Sequence, residues 1–228
     1  SNDRVMYVFE VVECIKGDEK VDEIRVVASS QITCAAVTFT VGHSYLINVN
    51  LLTGKLTEGI EGDVYSVQGG VYGACELGAG SSKLVEAAKE IAAALAKTGD
   101  ARTSAIKAHV LKALTCGNDM ILKSALHDMQ NCPDVFDSLT ENEKTQFNVC
   151  FNNLSNSTTC KPALVGVLSR IGSDESVTDL LGAVGENDGG AVALDVIAAL
   201  KHMNKPGTGA ALEECYANAD NKANVVAV

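Results

Sequence analysis

Aromatic residues are scarce in this chain. They make up 4% of its 228 residues and include no Trp, so Ala, Val and Leu must fill most of any core. Basic clusters are missing too. The formal net charge is −11, and no local run of Lys or Arg offsets it, which excludes phosphate backbones and anionic membrane surfaces as natural partners. No apolar run approaches the ~18 residues that a membrane-spanning helix needs. No pair of cysteines forms Cys-x-x-Cys, so zinc-ribbon and thioredoxin chemistry has no foothold. Gly-x-Ser-x-Gly is absent as well, and no cysteine sits in a recognisable nucleophile signature. The expectation is a protein that is not an enzyme and holds no metal and no cofactor.

What remains is a folded composition, 46% hydrophobic and 21% charged, long enough for one large domain or two small ones. It carries eight cysteines: Cys14, Cys34, Cys75, Cys116, Cys132, Cys150, Cys160 and Cys215. An even count at wide spacing reads as an extracellular disulfide framework. The stretch NNLSNSTTC supports that compartment. Asn153-Leu-Ser155 and Asn156-Ser-Thr158 both fit the N-glycosylation acceptor pattern, which makes Asn153 and Asn156 candidate modification sites. Ser1-Asn2-Asp3, with no initiator Met, reads as a processed terminus. The chain is expected to be secreted.

Two periods divide the sequence. RVMYVFEVVECI (4–15), VDEIRVVAS (21–29), AAVTFTVG (35–42) and SYLINVNLL (44–52) read as strands, separated by turns at Lys16-Gly17-Asp18, Gly42-His43-Ser44 and Thr53-Gly54-Lys55. Residues 61–80 are glycine-rich, with six of the chain's 20 glycines, and mark the end of the β-rich part. From Ser81 about eight short amphipathic helices are expected. Ser81 and Asp100 read as caps, Thr140 and Glu143 as a capping box, and Pro162 as a first-turn proline. The fold class is therefore α+β: a small antiparallel OB-like β-barrel over 1–78, then an all-α domain of short helices over 79–228, either paired and repeat-like or packed as a compact irregular bundle. Three cysteines precede residue 80 and five follow it. If all eight pair, at least one bridge must join the two parts.

Other motifs fall short of their chemistry. ELGAGSSKL, with Gly78, Gly80, Ser81 and Ser82, resembles a phosphate loop, but Lys83 stands where a dinucleotide fingerprint needs Gly, and no parallel βαβ setting surrounds it. It reads as a joint and a helix cap. VGENDGGAVALD hints at a calcium loop but puts Val184 at the first ligand position and Asp195 at the last. A hard cation cannot use an isopropyl group. His43, His109, His127 and His202 are dispersed without metal spacing, and His109 is expected on a solvent or polar rim. Glu213 and Glu214 diverge on a helix rather than converge.

Residues 14–59 carry a further pattern: Lys16-Gly17, Cys34, Val41-Gly42, then Tyr45-Leu46-Ile47, then Gly54-Lys55-Leu56. In these positions the chain resembles the netrin-like module of tissue inhibitors of metalloproteinases, netrins and complement proteins. Ala35 stands where that family usually has Gly. The resemblance implies an OB-like barrel and a structural bridge at Cys34. Inhibitory members chelate the protease zinc through an N-terminal Cys, whereas this chain begins Ser1-Asn2-Asp3-Arg4. Metalloprotease inhibition is therefore not carried over. The helical part, at DVIAALKHM and LEECYANADNKANVVAV, is similar to the helical repeats of large lipid-transfer proteins, which implies lipid contact.

The expected function is that of a secreted, disulfide-bonded, non-catalytic protein that binds an extracellular protein or matrix component. One alternative is a carrier of a lipid or other hydrophobic ligand among the Ala/Leu/Val-lined helices. Another is a protease-inhibitor-like module that lacks the chelating cysteine.

Overall fold

In the computed structural model the chain is described at residues 4–17, 21–29, 37–54, 57, 60–68, 73–154, 159–185 and 190–218, with backbone alone at 4, 29, 184, 185, 190–193 and 214–218. The architecture is mixed α+β. It divides into two compact units, Ser1–Ala92 and Ala93–Val228.

The first unit begins with β1 (Arg4–Glu10) and β2 (Glu23–Ser29), paired antiparallel from Arg4↔Ser29 to Glu10↔Glu23. The run expected over 44–52 is two strands, β3 (Ser44–Ile47) and β4 (Val49–Leu51), broken at Asn48. The break has a cause in hydrogen bonding. Asn48 N–H donates to the Gly73 carbonyl at 2.7 Å, and its own carbonyl accepts from Gln68 N–H at 2.8 Å. The strand thus changes partners at one residue, as strands do when they turn a corner between sheets. β3 pairs antiparallel with β6 (Ala74–Leu77), while β4 pairs antiparallel with β5 (Tyr65–Val67). β5 also lies parallel to β2, so one sheet runs β1-β2-β5-β4 and the other β3-β6. Glycine is obligatory at position 73, where a Cβ would overlap the Gln68 carbonyl oxygen.

Two strands therefore come from the segment 61–80, where glycines alone pointed to a joint. Residues 37–40, expected to be a strand, carry no ladder. They are held by side chains instead. Val26, Phe39 and Tyr65 form a buried centre, packed by Tyr7, Phe9, Ile24, Val37, Tyr45, Ile47, Val49, Val67 and Ala74. Phe39 meets Phe9, Tyr7 and Tyr45 edge-on, with centroids 4.8, 5.0 and 5.0 Å away. Such contacts contribute about 0.5–1.5 kcal/mol each beyond burial.

α1 (Ser82–Leu95) runs across the division between the units. The helices that follow, among the described residues, are α2 (Gly99–Ala113), α3 (Asp119–Gln130), α4 (Asp134–Asp137), α5 (Glu141–Asn153), α6 (Lys161–Ile171), α7 (Asp174–Gly185), α8 (Gly190–Met203) and α9 (Thr208–Asn218). Thr98, not Asp100, is the N-cap of α2, so Asp100 lies in the first turn, where its charge favours the helix dipole. Asn118 Oδ1 caps α3 by accepting from Met120 and Ile121 N–H. The Thr140/Glu143 capping box opens α5, and Pro162 lies in the first turn of α6. α6 is the central helix, packed against α3, α5, α7 and α8. Its Leu164, Val165, Val167 and Leu168 are all buried.

Lys107 on α2 ties this unit together by donating to the Ser138 carbonyl at 3.0 Å and to the Glu143 carboxylate at 3.2 Å. The Thr140 backbone N–H, and then Lys107, hold the Glu143 carboxyl below its ordinary value of 4.5. The folded state binds that proton less readily than the unfolded chain. Glu143 therefore contributes stability above about pH 4.5, and loses it as pH falls through the folded value. Urea unfolding of Glu143→Gln should show a shallower loss of stability between pH 6 and pH 3 than the parent. Parallel curves would contradict the role of this node.

Candidate functional site

The eight cysteines fall into distinct surroundings. Cys14 is exposed just past β1, and its thiol donates to the Lys16 carbonyl at 3.5 Å. Cys75 is half-buried on β6. Cys116 and Cys132 are half-buried at the two ends of α3. Cys150, in the last turn of α5, and Cys160, the N-cap of α6, are buried. Cys34 lies outside the described residues, and so does the side chain of Cys215, whose backbone belongs to α9. No sulfur–sulfur bond joins any two of the six described cysteines.

Burial pushes the Cys150 thiol up to about 11, and the Cys160 and Cys116 sulfurs push it the same way. Nothing in the spacing of residues 116, 150 and 160 announces this. It follows from the way α5 and α6 pack. Lys161, itself buried, donates from Nζ to the Leu154 carbonyl at 3.1 Å and lies over the Phe151 ring, 4.7 Å from its centroid. The start of α6 is thereby folded back on the end of α5.

Asn153 is the last residue of α5 and is exposed; Asn156 lies outside the described residues. The loop expected at ELGAGSSKL is self-satisfied: Gly78 N–H donates to Ser81 Oγ at 2.9 Å. Residues 186–189 of the calcium-like stretch lie outside the described residues, and Asp195 is exposed on α8. His109 is buried on α2, at 7% exposure, not on a polar rim. Its place on the same face as Ile106 and Val110 was the available signal.

A polar cluster that sequence reading missed sits on the β3–β6 pair. His43 Nδ1 is 2.6 Å from Glu76 Oε1, Tyr45 OH donates to Glu76 Oε2 at 3.4 Å, and Thr40 N–H donates to Tyr45 OH at 2.9 Å. The antiparallel register Tyr45↔Glu76 brings these groups together across 31 residues, which no local pattern reveals. The cluster is exposed, and the screening of an open surface limits what such a pair contributes. Among the described residues no three His, Cys, Asp or Glu side chains converge as a metal site.

β1 presents apolar side chains outward. Val8 is 57% exposed, Met6 42% and Val5 39%, at one end of the strand order β1-β2-β5-β4. No family model, curated protein or solved structure matches this chain. No described helix is long and apolar enough to cross a membrane.

The cysteine environments are open to direct measurement. In the reduced, folded protein at pH 8, iodoacetamide should label exposed Cys14 first. Cys150, two pH units above its ordinary 9.0, should react about 100-fold more slowly than an unperturbed thiol. Its rate should climb steadily toward pH 11. Equal labelling of Cys14 and Cys150 would contradict this placement.

Proposed function

We propose that the chain is a secreted, disulfide-bonded, non-catalytic binding protein whose partner is an extracellular protein or matrix component. The observation that supports the reading is strand β1. It is paired along its whole length with β2, ends the strand order, and leaves Val5, Met6 and Val8 exposed. An apolar edge of this kind suits an extended segment of a partner, which would gain main-chain hydrogen bonds and apolar contact together. The first unit is read as an OB-like, netrin-like module. Its corner at Asn48, and the left-handed glycines at Gly17, Gly42 and Gly54 where the resemblance has its turns, support that reading. The eight cysteines are read as its covalent framework, with glycans at Asn153 and Asn156.

Biolayer interferometry of the secreted protein against a panel of purified matrix proteins tests the proposal. Val8→Lys should weaken the best-binding member at least tenfold, about 1.4 kcal/mol, with an unchanged thermal midpoint. Equal binding by the variant would remove β1 from the interface. A panel without any binder, together with a stoichiometric lipid on organic extraction, would replace this reading with that of a carrier.

A further inference from the structure

β1 has one edge to spare. Its backbone pairs with β2 from Arg4↔Ser29 to Glu10↔Glu23, and Val11 N–H continues that ladder by donating to the Asp22 carbonyl at 2.8 Å. This last bond fixes the phase of the strand. Hydrogen-bonded and non-hydrogen-bonded pairs alternate in an antiparallel ladder, so Val11, Phe9, Tyr7 and Val5 turn their N–H and C=O groups toward β2. Arg4, Met6, Val8 and Glu10 turn theirs to the other edge. Among the described residues no strand pairs with that edge. Side chains alternate with the same period, so these four residues also share one face of the strand. Tyr7 and Phe9 pack toward the core on the opposite face, while Met6 and Val8 are exposed.

The usual guards of an open edge are missing between its ends. Residues 5–9 include no Pro and no charged side chain. The charges stand at the two ends and differ in sign, Arg4 at one and Glu10 at the other. Turned antiparallel upon itself about Tyr7, the strand is self-complementary. Arg4 falls opposite the partner's Glu10, Met6 opposite the partner's Val8, and the same pairs recur in reverse. Every such pair joins residues whose backbone groups already face the open edge, so the new ladder runs the length of the strand. A slip of one residue would set open groups against groups already bonded to β2. A parallel copy in register would oppose like charges at both ends. The antiparallel register also answers a repulsion within the chain. Glu10 lies directly opposite Glu23 on β2, an unfavourable pairing, and the partner's Arg4 would come to its other side.

We propose that a second copy of this chain adds to the β1 edge, antiparallel and centred on Tyr7, so that two four-stranded sheets join across a two-fold axis. This rests on the reading of β1 as the binding edge, and it names an occupant of that edge. An edge accepts one added strand, so a second copy and a segment of a matrix partner exclude each other there. Self-pairing thereby sets how much of the edge is open to a partner.

Sedimentation velocity of the full chain, from about 1 to about 300 μM, tests the pairing over the affinities expected of a one-strand interface. A reversible rise from monomer to twice that mass is expected. Glu10→Arg and Arg4→Glu each oppose like charges at both ends of the interface, and each should weaken the dimer roughly tenfold. Glu10→Arg also removes the repulsion with Glu23, so its thermal midpoint should not fall. An equimolar mixture of the two variants sets Arg against Glu at every end and should recover the parent's association. A dimer that both variants leave unchanged, or a mixture that associates no better than its components, would overturn the pairing. So would a monomer at every concentration; Val8→Lys still weakening a matrix binder would then leave the binding-edge reading standing alone. The expected dimer and its response to both variants, without any matrix binder, would uphold the self-pairing and remove the matrix partner.

Discussion

The buried ammonium of Lys161 holds the start of α6 against the end of α5. Removing a charge from water costs on the order of several kcal/mol unless new partners offset it. Its partners include the Leu154 carbonyl and the Phe151 ring, both at the end of the preceding helix. α6 in turn packs against α3, α5, α7 and α8. Gln130 at the end of α3 donates to the Ala163 carbonyl at 3.3 Å, Ser169 donates to the Ala199 carbonyl of α8 at 3.3 Å, and Arg170 lies 4.3 Å from the Phe136 ring centroid. A helix with a buried apolar face could slide along its neighbours; these polar tethers stop it.

The β unit solves a different problem with few aromatics. Of the chain's five Phe and five Tyr, Tyr7, Phe9, Phe39 and Tyr45 meet in one cluster. Phe39 is its centre, although its own segment pairs with no strand among the described residues. Ring contacts here replace ladder hydrogen bonds, so a stretch of extended chain is anchored by one side chain. Committing these rings inward leaves Met6 and Val8 exposed on the opposite face of β1. Buried and exposed side chains are thus drawn from the same strand by alternation.

Much of the helical part was legible because its signals are local. Thr140 with Glu143, Pro162, and the glycine at the end of α6 all act within one or two turns, and each lies where its chemistry requires. Gly99, with a left-handed φ of 56°, opens α2 just after its N-cap Thr98. The β part was less legible because strand partners are distant. Nothing near residues 65–67 or 74–77 says that they complete two sheets, and the glycines around them point the other way. The break at Asn48 depends on Gln68 and Gly73, 20 and 25 residues downstream. Composition pointed to a compartment, but the burial of Cys150 and Cys160 comes only from packing.

The account stands or falls on the oxidation state of the sulfur, because a non-catalytic scaffold held by covalent staples is its central claim. Intact-mass measurement of the protein secreted from eukaryotic cells, alkylated under denaturing conditions without reduction, tests that claim most directly. The account predicts no added alkyl groups, together with glycan mass that disappears on enzymatic deglycosylation. A single unglycosylated mass carrying eight alkyl groups would contradict it.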